Sequence, residues 1–228
     1  MKVQKGRTMN NATAANSAAV SLDSLGLKHN TDKASPAHNY LHFYEGLIGH
    51  LRQEPAPRVL EIGVYDGGSL RMWEEFFPNA QLVGADIDPR TLASASNRSR
   101  IEIMDQSDIA QLTRVAVAHG PFDLIVDDGS HIWDHQITSL RTLYPFVKPG
   151  GTYIVEDIHT SYGKLAADYR GGAGVSCADY LHKFCDYVVA DEVADVGQEP
   201  DAFIRSYARL TDWMSFRRHT CVIRRNAA

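Results

Sequence analysis

Two short acidic stretches carry most of the chemistry this sequence could perform. Asp127-Asp128-Gly129-Ser130-His131 follows the apolar run 122–126, and Glu156-Asp157 follows the run 152–155. If those runs are neighbouring strands, their carboxylates converge. Clustered carboxylates repel one another unless they are protonated or bind a cation. Oxygen ligands suit a hard ion, Mg²⁺ or Ca²⁺, and Mg²⁺ leaves positions open for water and substrate oxygens. His131, three residues past Asp128, is then placed to take a proton from a hydroxyl polarised by that ion. The plain alternative makes one or two of the acids helix caps and His131 a surface histidine. The repetition of the acidic theme at two strand ends favours the site.

A second set lies earlier in the chain. Glu61-Ile-Gly-Val-Tyr-Asp-Gly-Gly-Ser69 ends another apolar run. Its glycines let the backbone turn sharply and approach a ligand, and the following helix offers unpaired N–H groups. The spacing is neither GxGxxG nor GxxxxGK[ST], so the turn is cofactor-like without being dedicated to phosphate. Asp86, after Leu-Val-Gly-Ala, stands where an acid in a doubly wound sheet accepts from ribose hydroxyls. The competing role of helix N-cap fits Asp88, before Pro89, better than it fits Asp86. Met104-Asp105-Gln106-Ser107-Asp108 could read an adenine edge, or Ser107 could cap the next helix.

These residues need elements to position them. Short apolar runs at 58–64, 81–87, 101–104, 122–126 and 152–155 alternate with helical patterns near 69–77, 89–97, 107–118 and 134–147. That alternation predicts an α/β protein, a Rossmann-like doubly wound and mostly parallel sheet covered on both faces. Residues 213–217 and 220–224, two residues apart, predict an antiparallel pair closing one edge. In such sheets ligands bind beyond the carboxyl ends of the strands, where the glycines and acids cluster. Tyr40, Phe43, Tyr44, Leu47 and Leu51 follow helical spacing up to Pro55 and Pro57. The segmentation is therefore a flexible arm over 1–24, a helical lead-in over 25–55 and the main domain over 56–228. Gly171-Gly172-Ala173-Gly174 reads as a mobile loop beside the site.

Composition narrows the classes. The chain has 228 residues, 44% hydrophobic and 22% charged, which excludes a mainly disordered or collagen-like chain. With 23 Lys plus Arg against 28 Asp plus Glu, the net charge of −5 argues against broad nucleic-acid binding. The apolar runs are too short to span a bilayer, and the N-terminus lacks a signal-peptide core. Cys177, Cys185 and Cys221 form no metal-type pattern and are read as reduced thiols of a cytoplasmic protein.

The series LEIGVYDGGSLRMWEEFFPNAQLVGADID, DQSD, DLIVDDGSHIWDHQ and VKPGGTYIVEDIHTSY resembles class I S-adenosylmethionine-dependent methyltransferases, and among them the metal-dependent sugar O-methyltransferases of natural-product biosynthesis. HNTDKASPAHNYLHFYE resembles that family's lead-in, so the likeness covers about residues 25–165. The resemblance implies Mg²⁺ held by Asp128, Glu156 and Asp157, with His131 as general base on a sugar hydroxyl of a glycosylated small molecule. It implies that Glu61, Gly63, Gly67 and Asp86 hold the methionine and ribose of S-adenosylmethionine, with Asp105, Gln106 and Ser107 near the adenine; Tyr65, Ser69 and Asp127 complete that set. Tyr65 departs from the common loop, which has Gly there. Family members with an additional N-terminal domain are longer than this chain. Acceptor contacts are therefore expected from residues 1–55, the loop near 160–175 or a partner subunit, which favours a homo-oligomer. The alternatives are another acceptor such as a catechol, or a cofactor-binding module without turnover.

Overall fold

The computed structural model describes residues 20–190 and 196–227. Seven strands, β1 (Arg58–Ile62), β2 (Gln81–Asp86), β3 (Ser99–Ile103), β4 (Phe122–Asp127), β5 (Val147–Val155), β6 (Thr211–Arg217) and β7 (Thr220–Arg225), form one sheet in the order β3-β2-β1-β4-β5-β7-β6. The first five are parallel, and β7 and β6 close the edge as an antiparallel pair. The order reverses between β1 and β4, the switch point at which α/β sheets leave a crevice beyond their strand ends.

Successive strand residues face opposite sides of a sheet, and here the alternation builds two cores. Leu60, Ile62, Ile125, Tyr153 and Val155 face one side, packed by α4 (Ile109–His119), α5 (Trp133–Leu143), α7 (Cys177–Ala190) and α8 (Ala202–Tyr207) through Leu112, Leu140, Leu181 and Phe203. Val59, Leu124, Val126, Ile154 and Val222 face the other, covered by α1 (Leu22–Lys28), α2 (Leu41–Ile48) and α3 (Gly68–Phe76) through Leu25, Leu41, Tyr44, Trp73 and Phe76. Each large apolar side chain so buried contributes about 1.5–3 kcal/mol. The lead-in is therefore half of a core. At Gly26 an added Cβ would meet Leu41 Cδ1 at 2.2 Å, so α1 and α2 lie as close as a glycine permits.

Several local expectations change. The helix read at 89–97 is a 3₁₀ turn, Pro89–Ser94, capped by Asp88, whose carboxylate accepts from the Arg90 N–H. Asp108 rather than Ser107 caps α4, accepting from the N–H groups of Ala110 and Gln111. The arm expected over 1–24 lies outside the described residues as far as 19, and α1 begins within its last residues. After the short α6 (Ala166–Tyr169), the glycine stretch is held to the start of α5, where the Gly172 N–H donates to Asp134 Oδ2 at 3.1 Å. The three cysteines are unpaired, with Cys177 and Cys221 buried. No helix of the described residues is long and apolar enough to cross a membrane.

Candidate functional site

A cavity of about 980 Å³ opens beyond the ends of β1, β2 and β4, at the upper end of the range for small-molecule sites. Among the residues expected to bind a cofactor, Gly63, Tyr65, Ser69, Asp86, Asp105 and Gln106 line it. Gly63 has φ +88°, and a Cβ there would lie 2.0 Å from the Asp128 carbonyl oxygen, so the first turn and the loop after β4 touch backbone to backbone. Asp86 fixes the turn: its Oδ2 accepts from the N–H groups of Val64 at 2.8 Å and Tyr65 at 3.1 Å, and its Oδ1 from Asp88 at 2.9 Å. With both lone pairs of Oδ2 taken, Oδ1 keeps one for a ligand hydroxyl. Tyr65, 89% exposed with φ +51°, stands over the mouth.

The other expected residues do not line the cavity. Gly67 caps α3 with φ +77°. Ser107 Oγ donates to Asp105 Oδ1 at 2.7 Å and holds that carboxyl below its usual range. Asp127 is fully buried on the α5 side. It accepts from Gln106 Nε2 at 2.6 Å, Tyr153 OH at 3.1 Å and Ser139 Oγ. Burial pushes its carboxyl up to about 6 against those bonds. It acts on the cavity through Gln106, whose Oε1 accepts from the Ser130 N–H at 2.9 Å.

Strand parity also sorts the acids. Glu61 continues the Val59 face, Asp128 the Val126 face and Glu156 the Ile154 face, so all three reach the side covered by the lead-in. There they meet a residue that sequence reasoning passed over. Lys33, 1% exposed, bonds Asp128 Oδ2, donates to Glu156 Oε2 at 2.8 Å and stands 3.6 Å from Glu61 Oε1. Burial alone would lower the Lys33 pKa, but Asp128, Glu156 and Glu61 outweigh it and hold it well above the ordinary value. Glu156 is raised well above its ordinary value by burial, against the pull of Lys33, and accepts from Tyr44 OH at 3.1 Å. The available signal was the parity itself: three acids on one buried face require a cation, and the lead-in covers that face.

Asp128, His131 and Asp157 meet at the cavity, with one ligand atom from each lying within 4.8 Å of the others. His131 Nε2 is 4.0 Å from Asp128 Oδ1 and 3.5 Å from Asp157 Oδ2. Both His131 (φ +58°) and Asp157 (φ +56°) sit in the left-handed region, so the backbone is strained where the two face each other. Tyr40 OH donates to Asp157 Oδ1 at 2.7 Å. Burial would raise Asp157, but His131, Tyr40, His38 and His159 outweigh it and lower its pKa. Two carboxylate oxygens at a cavity wall fit Mg²⁺, which is commonly held through one or two carboxylates with waters and substrate oxygens completing the shell. Glu156 stands behind Asp128 with both oxygens engaged, so it reaches such an ion only if Lys33 turns away.

Residues 60–158 match the family model described as a methyltransferase domain. The MycE methyltransferase of the mycinamycin biosynthetic pathway, solved in complex with Mg, SAH and mycinamycin VI, superposes with a TM-score of 0.78 at 30% identity, over 91% of this chain and 55% of that one. The chain has the class I methyltransferase fold. Among curated relatives, the 8-demethyl-8-(2-methoxy-alpha-L-rhamnosyl)-tetracenomycin-C 3'-O-methyltransferase of Streptomyces olivaceus is 40% identical over 158 residues, 65% of this chain and 40% of its own length. The demethylmacrocin O-methyltransferase of Streptomyces fradiae is 39% identical over 64% of this chain and 38% of its own length. The chain spans about two fifths of the length of the curated relatives it matches.

Proposed function

We propose that this chain moves a methyl group from S-adenosylmethionine to a hydroxyl of a sugar on a glycosylated natural product, with Mg²⁺ bound by Asp128 and Asp157. The observation that carries the reading is the meeting of Asp128, His131 and Asp157 at the wall of a cavity whose other side is the Gly63–Asp86 turn. S-adenosylmethionine, when bound, supplies a methyl carbon made electrophilic by its sulfonium and leaves as the uncharged thioether. Mg²⁺, when bound, supplies Lewis-acid polarisation of the acceptor hydroxyl.

The chain's own residues do the rest. Asp86 fixes the Val64–Tyr65 backbone through Oδ2 and offers Oδ1 as an acceptor to a ribose hydroxyl. His131 accepts the acceptor's proton at Nε2, the ring atom turned towards Asp128 and Asp157. Tyr40 holds Asp157 by one oxygen, leaving the other towards His131. Lys33 keeps Asp128 from recoiling from Glu156 and Glu61.

Calorimetric titration with S-adenosylhomocysteine in Mg²⁺ tests the cofactor. Saturable one-site binding, weakened by Asp86→Ala, is expected; no binding by folded chain overturns the reading. His131→Ala should slow methyl transfer by roughly 10²–10⁴-fold while sparing that affinity. Chelation should abolish turnover and Mg²⁺ should restore it. Near-normal turnover in His131→Ala removes the base from the mechanism.

A further inference from the structure

The Asp157 carboxylate divides two unlike environments. Its Oδ2 faces His131 and the cavity, whereas its Oδ1, besides accepting from Tyr40 OH at 2.7 Å, faces imidazoles. His38 Nδ1 and His159 Nδ1 each stand 3.7 Å from Oδ1. His38, Asp157 and His219 each present one ligand atom within 4.8 Å of the other two.

Three separate elements build this second cluster. His38 comes from the lead-in, Asp157 from the loop after β5, and His219 from the β6–β7 turn. The Ile158 N–H donates to the His219 carbonyl at 2.9 Å and pins that turn beside Asp157. His159 stacks on His219 with ring centroids 4.1 Å apart, and the Nδ1 atoms of both are buried without a hydrogen-bond partner. Asp32 Oδ2 stands 3.7 Å from His38 Nε2, behind the nitrogen that faces Asp157. At 3.7 Å it is in ion-pair range, and closing to a hydrogen bond would orient the imidazole as carboxylates do at metal centres.

Two imidazole nitrogens and one carboxylate oxygen form a borderline-soft donor set with one position open. Zn²⁺ takes such sets tetrahedrally at about 2.0–2.2 Å, which puts ligand atoms about 3.4 Å apart, close to the 3.7 Å between His38 Nδ1 and Asp157 Oδ1. Oxygen-seeking Mg²⁺ has no reason to prefer this side. We infer that His38, Asp157 and His219 form a Zn²⁺ site of this chain, sharing only Asp157 with the Asp128–His131–Asp157 set, and that zinc bound there draws Asp157 away from His131 and slows the reaction. The inhibitory half rests on the methyltransferase reading; the binding half does not.

The test is calorimetric titration of ZnCl₂ into the full chain at saturating Mg²⁺, with wild type, His38→Asn, His219→Asn and Asp128→Asn. Asn tolerates the left-handed backbone of residue 219 (φ +67°) and ligates zinc poorly, and thermal melting checks that each variant is folded. One zinc per chain is expected, at least tenfold weaker in both histidine variants and retained in Asp128→Asn. Unchanged affinity in His219→Asn, or loss in Asp128→Asn with retention in His219→Asn, overturns the site. In the assay, zinc should inhibit wild type and spare His219→Asn; equal inhibition of both overturns the inhibitory half. A chain that takes up zinc and fails to bind S-adenosylhomocysteine refutes the methyltransferase reading and leaves the zinc site standing.

Discussion

Replacing Lys33 by Met keeps the length of the side chain and removes the ammonium that Glu61, Asp128 and Glu156 share. Breaking a buried ion pair from one side costs about 3–5 kcal/mol, because the remaining charge stays buried. Urea denaturation of Lys33→Met should show a loss of that order, and Glu156→Gln added to it should recover part of the loss; no recovery would show that the pair is not the cause. Asp127 makes a second prediction through pH. Its carboxyl titrates near 6 when folded and near 3.9 when unfolded, so the native state binds the extra proton. The stabilisation is complete below pH 4 and is lost as pH rises through 6, at about 1.4 kcal/mol per pH unit in between. Asp127→Asn should flatten the stability profile from pH 4 to 6, and a profile parallel to wild type would contradict the assignment.

Among elements, α1 and α2 pack at Gly26, and Lys33 lies in the connection between them. Gly26→Ala should destabilise by about 1–3 kcal/mol through overpacking against Leu41. Gly46→Ala, in α2 with nothing within 4 Å of the added carbon, should stabilise by up to about 1 kcal/mol. Thermal melts of the two variants moving in the same direction would refute that packing. The strands and their acidic ends were legible because a short apolar run must be buried on both faces while the acids that close it must reach solvent or a ligand, as at Ile154–Asp157. Asp128, His131 and Asp157 could be placed at neighbouring strand ends for the same reason. Lys33 was not legible by spacing, since it meets Glu156 across 123 residues of chain. Helix α7 also escaped reading: Tyr180, Leu181 and Phe184 make an apolar face, but without flanking strands no alternation points to it. Tyr40 and Tyr44 look like ordinary helix packing in sequence, and only the fold turns their hydroxyls towards Asp157 and Glu156.

At the scale of the molecule, the sheet is finished on one side by helices that follow its strands and on the other largely by helices that precede them. Removing the chain through Gln53 would uncover Trp73, Phe76, Leu124 and Ile154 together. Such a truncation should lose its cooperative thermal transition and bind a hydrophobic dye; a sharp melt with no dye binding would make the lead-in a separable appendage. The arrangement also sets an order in time. Tyr44 bonds Thr220 across 176 residues, and at synthesis rates of about 5–20 residues per second the two emerge about 10–35 s apart. Throughout that interval the lead-in leaves the ribosome ahead of the strands it must cover. The bond that ties the lead-in to the β7 edge thus forms only after every strand between them has been made.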